Sequence, residues 1–128
     1  MKTRTKKRGE DLTKNYYSKK AEKLLKDLEL YRSSLEYYAA ITDCAGLTLR
    51  QHREIIEKEK FLSRTVSAVE HALSMLNDTE RDIVTKLYFD KTLTFDDVCE
   101  SCALERSSIY RYRASALKKI AKAIYGEE

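Results

Sequence analysis

The 128-residue sequence contains no proline and no tryptophan, and glycine occurs only at positions 9, 46 and 126. Proline and glycine disfavour helices more than other residues do, so their scarcity is typical of a helical chain. No apolar run approaches the roughly 18 residues that would cross a bilayer, and the basic start is not followed by the apolar segment of a signal peptide. We therefore expect an all-α, cytoplasmic protein with no membrane partner.

Motifs that carry chemistry are also missing. The sequence has no glycine-rich phosphate loop, no nucleophile elbow and no paired-histidine metalloprotease motif. Acidic and basic residues alternate along much of the chain, as they do on solvated helix faces. We therefore expect neither an enzyme nor a bound cofactor.

The cysteines suggest a metal site at first sight, because Cys99 and Cys102 have C-x-x-C spacing and Cys44, His52 and His71 could complete a ligand set. A zinc site of that kind requires its cysteine pair on a tight loop, with a second pair at defined spacing. This pair falls within a helical pattern, where a free cysteine behaves as a small hydrophobe. We expect packing residues and no metal.

Charge is distributed unevenly. The net charge is +4, yet residues 1–20 alone carry eight bases and two acids. Residues 1–14 show no apolar periodicity, so we expect a disordered basic arm there. Such an arm can lie on nucleic acid or can merely keep a protein soluble, and the sequence leaves both interpretations open.

Residues 15–76 carry two apolar stripes with alternating spacings of four and three, one over 17–38 and one over 55–76. With the turn-forming residues between them, these stripes predict an antiparallel helical hairpin. The apolar surface exceeds what one hairpin covers, so either the C-terminal residues or a second copy should cover the rest. We favour a homodimer. Its predicted interface consists of Leu24, Leu28, Tyr31, Leu35, Leu62, Val66 and Val69.

Residues 77–126 contain three short helical patterns in the order of a helix-turn-helix module. Asn77 precedes Glu80 at capping-box spacing, and Thr94 precedes acids that suit a first helical turn. Residues 94–105 hold four acids and no bases, whereas 106–122 hold six bases and no acids. Because phosphate neutralisation supplies much of the free energy of DNA binding, the third helix should enter the major groove. A solvated basic face on an ordinary bundle is the alternative.

The segment 80–120 resembles region 4 of the sigma-70 factors, which reads the −35 promoter element. The resemblance lies in the spacing of 94–99, 102–104 and 106–120, the last of which contains Arg-Ala-Ser-Ala-Leu-Lys-Lys-Ile. The order of the whole chain is similar to the phage ArpU and RinA type activators. The resemblance implies a sequence-specific transcriptional regulator, encoded by a phage or mobile element. Its partners would be double-stranded DNA and, as a further candidate, RNA polymerase.

The resemblance also implies which side chains face DNA. Arg106, Ser107, Tyr110 and Arg111 would contact bases, and a guanidinium suits the O6 and N7 acceptors of guanine. The residues expected at phosphates are Thr94, Ser108, Arg113, Lys118 and Lys119.

Two residues depart from the family pattern. Glu105 stands where Ser or Thr usually caps the recognition helix, and it could repel a phosphate. Ala103 stands where the turn usually has glycine, so we expect a slightly different turn.

Two other functions remain open. A phage small terminase subunit also joins a helix-turn-helix to long helices, although its DNA module usually comes first. A helical interaction protein could instead use the basic third helix to bind an acidic partner. The sequence does not distinguish an activator from a repressor.

Overall fold

The computed structural model describes the backbone of residues 2–126 and the side chains of residues 16–126, and it is all-helical. The described residues contain no strand and no helix that is long and apolar enough to cross a membrane. The elements are α1 (Lys2–Thr42), α2 (Leu49–Ser74), α3 (Asp78–Val84), a π-helical turn (Thr85–Phe89), α4 (Phe95–Cys102) and α5 (Arg106–Tyr125).

Helix α1 begins at Lys2, which differs from the disordered arm expected over residues 1–14. The first fourteen residues lack the apolar periodicity that usually indicates a packed helix. They also contain no residue that prevents a helix from extending through them. There is no proline, and one glycine inside a helix costs about 1 kcal/mol.

Helices α1 and α2 form an antiparallel pair. Thr42 donates a hydrogen bond to Glu59 at 3.4 Å, and Arg32 donates one to Glu70 at 3.3 Å. The contacts therefore move towards the start of α1 as they move towards the end of α2, which is the antiparallel arrangement. The turn between them contains Gly46 with a φ of 91°, a left-handed conformation that suits glycine. Thr48 then starts α2 through a capping box with Gln51.

The apolar stripes of this pair are covered within the same chain, by α5. Leu28, Val69 and Ile120 have no exposed surface, and they belong to one cluster that joins α1, α2 and α5. We call it the first cluster. Its buried members are Ala21, Leu25, Leu28, Val66, Val69, Ala72, Leu76, Val84, Ala116, Leu117, Ile120 and Ala121.

This packing corrects the predicted dimer interface. Leu28, Val66 and Val69 are buried inside one chain and cannot face a second copy, while the remaining four predicted residues are half-buried. The physical reason is that the inner face of α5 extends beyond α3 and α4 and covers the apolar surface that α1 and α2 alone leave exposed. The remaining four are Leu24, Tyr31, Leu35 and Leu62.

A second cluster lies among α3, α4 and α5. Ile83, Val98 and Ile109 form its fully buried centre. Cys99 and Cys102 pack against it, as expected of packing residues, although each is half-buried rather than enclosed. The second cluster fixes the angle between α4 and α5 and therefore the direction of the outer face of α5.

Candidate nucleic-acid interface

The turn between α4 and α5 has the left-handed geometry that usually calls for glycine. Ala103 ends α4 with φ 56° and ψ 41°, and the Leu104 N–H donates to the carbonyl of Cys99 at 3.0 Å. This is the hydrogen bond of a Schellman C-cap. Ala103 thus adopts the left-handed conformation that glycine favours, and alanine bears the strain of a positive φ.

Both predicted start signals in this region are confirmed, and the third helix starts without one. Asn77 and Thr94 each form a capping box, with Glu80 and Asp97 respectively. The Thr94 hydroxyl oxygen accepts a hydrogen bond from the Asp97 N–H at 3.2 Å. Thr94, which was predicted to contact phosphate, therefore already uses one of its acceptor lone pairs in capping α4. Glu105 makes no side-chain hydrogen bond as the N-cap of α5.

The outer face of α5 brings together the four residues expected at bases. Arg106, Ser107, Tyr110 and Arg111 are all exposed, and their spacing places them on one side of the helix. The residues expected at phosphates are spread more widely. Ser108 and Arg113 are half-buried, whereas Thr94 and Lys118 are exposed.

Arg106 is held in place by residues of α4. Its Nη1 atom lies 2.6 Å from Oδ1 of Asp96, and its guanidinium lies 4.7 Å from the centre of the Phe95 ring. The Phe95 ring stacks on Tyr110 at 4.8 Å, and the guanidinium of Arg113 lies 5.2 Å from the Tyr110 ring on its own helix. These contacts form a ladder in which two stacked rings lie between two guanidinium groups, and they restrict the rotamers of Arg106 and Arg113.

Sequence reasoning missed the contributions of Phe95 and Asp96. Both fall in the first turn of α4, where acids are expected simply as partners of the helix dipole. The sequence did contain a signal for Phe95: an aromatic residue in the first turn of an otherwise acidic helix indicates that its ring packs against a neighbour. The ten-residue separation between Asp96 and Arg106 becomes a contact only through the turn at Ala103.

Lys119 occupies a different environment from the one predicted. Its Nζ lies 2.7 Å from Glu80, which is 1% exposed and also accepts from the Ser115 hydroxyl at 2.7 Å. Burial raises the pKa of the Glu80 carboxyl, but hydrogen bonds from the Lys119 ammonium, the Ser115 hydroxyl and the Asn77 backbone N–H outweigh it and lower the pKa. Lys119 therefore joins α5 to α3, whereas the neighbouring Lys118 is exposed and takes part in no ion pair among residues 16–126.

The π-helical turn anchors this region to α1. The Tyr88 hydroxyl donates to Oε2 of Glu22 at 2.5 Å, and Tyr88 and Phe89 pack on the first cluster. Burial and the neighbouring Glu22 carboxylate raise the pKa of Tyr88 well above its usual value, so the hydroxyl stays a donor. The outer face of α5 is thereby fixed relative to the long helices as well as to α4.

No group of three or more His, Cys, Asp or Glu residues within the described part of the chain could hold a metal ion. Comparisons with family models, with curated proteins and with solved structures give no match for this chain. The resemblance to sigma-70 region 4 therefore stays a prediction from the residues.

Proposed function

We propose that the protein is a sequence-specific, double-stranded-DNA-binding transcriptional regulator, in which α3–α5 act as a helix-turn-helix module joined to a helical hairpin. Helix α5 would enter the major groove with Arg106, Ser107, Tyr110 and Arg111 at base edges. The observation that carries the proposal is the exposed outer face of α5, where Arg106 is held in position by Asp96 and Phe95.

The charge arrangement supports this proposal. Helix α4 is acidic, which would oppose an approach to phosphate if its carboxylates were free. Asp96 is paired with Arg106, however, and the Asp97 carboxylate accepts from the Thr94 N–H at 2.9 Å. Two of the three α4 acids thus have internal partners, and the bases of α5 dominate the face that would meet DNA.

The wider role follows the resemblance. The protein would act in a phage or mobile element, and RNA polymerase is a candidate partner because sigma-70 region 4 acts as part of that enzyme. A homodimer would let two modules read two half-sites. The basic residues near the N-terminus would add phosphate contacts that depend on salt.

The proposal is tested by selecting a binding site from random duplexes and measuring affinity by fluorescence anisotropy at several salt concentrations. Arg106→Ala should cost about 1–3 kcal/mol on the selected site and relax its sequence preference. Asp96→Asn should lower the ratio of specific to non-specific affinity about fivefold, because it releases Arg106 while removing a negative charge near phosphate. Asp96→Glu should restore part of that ratio.

Arg50→Ala is the matched control, because Arg50 is a highly exposed arginine on α2 that pairs locally with Glu54 at 3.4 Å. It should leave DNA binding unchanged. If unrelated duplex DNA fails to bind at moderate salt while an acidic protein binds, the proposal is wrong and the interaction-protein alternative gains support.

A further inference from the structure

A groove with exposed apolar walls runs between α1 and α2, on a side that α5 leaves open. Phe61 is 68% exposed and Leu30 is 62% exposed, which is unusual for such large apolar side chains. With Tyr31 and Leu62 they line a groove of about 500 Å³. A second depression of about 390 Å³, which shares Tyr31 and Phe61, continues it to the end of α5. We call the two together the α1/α2 groove.

Helix α2 presents this groove through a second stripe, separate from the one that packs in the first cluster. Spacings of three and four residues place its members on one face of α2. All of them are exposed except Ala68, which is half-buried. The members are Glu54, Glu57, Phe61, Arg64 and Ala68.

The charges on this stripe would complement those of an identical stripe that runs in the opposite direction. Glu57 and Arg64 lie two helical turns apart, on either side of Phe61, and neither takes part in an ion pair among residues 16–126. A twofold axis near Phe61 would make the α2 helices of two copies antiparallel. Glu57 of each copy would then face Arg64 of the other, with the two Phe61 side chains between the ion pairs. Such an interface is isologous and closed.

We propose that the α1/α2 groove is the interface of a homodimer, formed by antiparallel α2 helices. Phe61 of each copy packs against Leu30, Tyr31 and Leu62 of the other, and the Glu57–Arg64 pairs fix the register. Apolar anchors in a pocket with charged pairs at the rim are the usual anatomy of a specific interface. Tyr31 and Leu62 also belong to the interface predicted from the apolar stripes. Leu28, Val66 and Val69 of those stripes are buried inside the chain, so the second copy lies instead against the exposed stripe of α2.

This dimer places the C-terminal ends of the two α2 helices at opposite ends of the interface. Ser74, the last residue of α2, lies thirteen residues beyond Phe61. At 1.5 Å per residue, the two α2 ends would be about 40 Å apart. The dimer itself does not depend on DNA binding, so its test uses no DNA.

The test is sedimentation of the full chain at tens of micromolar, with helical content checked by circular dichroism. The wild type should sediment at twice the 14.9 kDa chain mass. The symmetric dimer contains two Glu57–Arg64 pairs. Each single variant, Glu57→Arg or Arg64→Glu, therefore places like charges opposite each other in both pairs. Each should raise the dimer Kd about 100-fold. An equimolar mixture of the two variants should dimerise again, because every pair in the mixed dimer is then of opposite sign.

Phe61→Asp should give a folded monomer, whereas Leu49→Asp is the matched control. Leu49 is 74% exposed at the start of α2 and lies outside the α1/α2 groove. That variant should dimerise normally. A monomeric wild type overturns the proposal, as do single charge variants that dimerise like the wild type. A mixture that stays monomeric while both variants are helical would also overturn it.

Discussion

The first and second clusters differ in the sequence distance that their residues span. The second cluster draws its fully buried residues from 83 to 109, whereas the first joins residues from 21 to 121. The helices around the second cluster begin at local signals that the sequence displays. The first cluster depends on the docking of α5 against two helices that are distant in sequence. The sequence displays their apolar stripes but does not specify which surface packs against them. Local signals therefore predict elements well, while stripes alone leave their partners undetermined.

The first cluster should be the more costly one to break. Leu28→Ala removes a side chain with no exposed surface and should destabilise the protein by about 3–4 kcal/mol. Leu30→Ala makes the same chemical change two residues away, where the side chain is largely exposed, and should cost under about 0.5 kcal/mol. Urea unfolding at low protein concentration measures both. Equal costs would mean that α5 does not cover the stripe.

Glu80 joins α3 to α5, close to where the two clusters meet. Glu80→Ala leaves the Lys119 ammonium and the Ser115 hydroxyl without their acceptor, and it removes half of the capping box. We expect a loss of about 2–3 kcal/mol, at the low end for a buried pair because Lys119 is half-exposed. Lys118→Ala, at the neighbouring exposed lysine, should leave stability unchanged.

The contribution of Glu80 should also depend on pH. Its pKa is lower in the folded protein than the ordinary value of 4.5, so the stabilisation is present above that pH. It is lost as the pH falls through the lowered folded pKa. Glu80→Gln should therefore flatten the decline of stability below about pH 4.5. A decline as steep as in the wild type would contradict this role.

The smallest expected effect concerns the turn before α5. Ala103→Gly should stabilise the protein by about 0.5–1 kcal/mol, because glycine adopts a positive φ without the strain that alanine bears. Ala114→Gly is the matched control in the middle of α5, and it should destabilise by about 1 kcal/mol. Thermal unfolding of the two variants should give shifts of opposite sign. Shifts of the same sign would argue against a left-handed Ala103.

The environment of the candidate site was partly predictable. The outer face of α5 follows from helical spacing alone, because residues 106, 107, 110 and 111 share one side of any helix that starts there. The ladder that holds Arg106 was not predictable, since Phe95 and Asp96 reach Arg106 only through the turn at Ala103 and the packing of α4 against α5. The pairing of Lys119 with Glu80 was missed for the same reason, since nothing in the sequence links positions 39 residues apart.

The sequence by itself determined the all-helical class and the starts of α3 and α4. These features rest on hydrogen bonds and side-chain spacing within a few residues, which a linear pattern records. Only the tertiary structure decided which surface covers each apolar stripe. Apolar burial is non-directional, so Leu28 and Val69 can be buried equally well by a second copy or by α5. The chain uses α5 because its inner face is long enough to serve both clusters, and Phe61 and Leu30 are left exposed as a result.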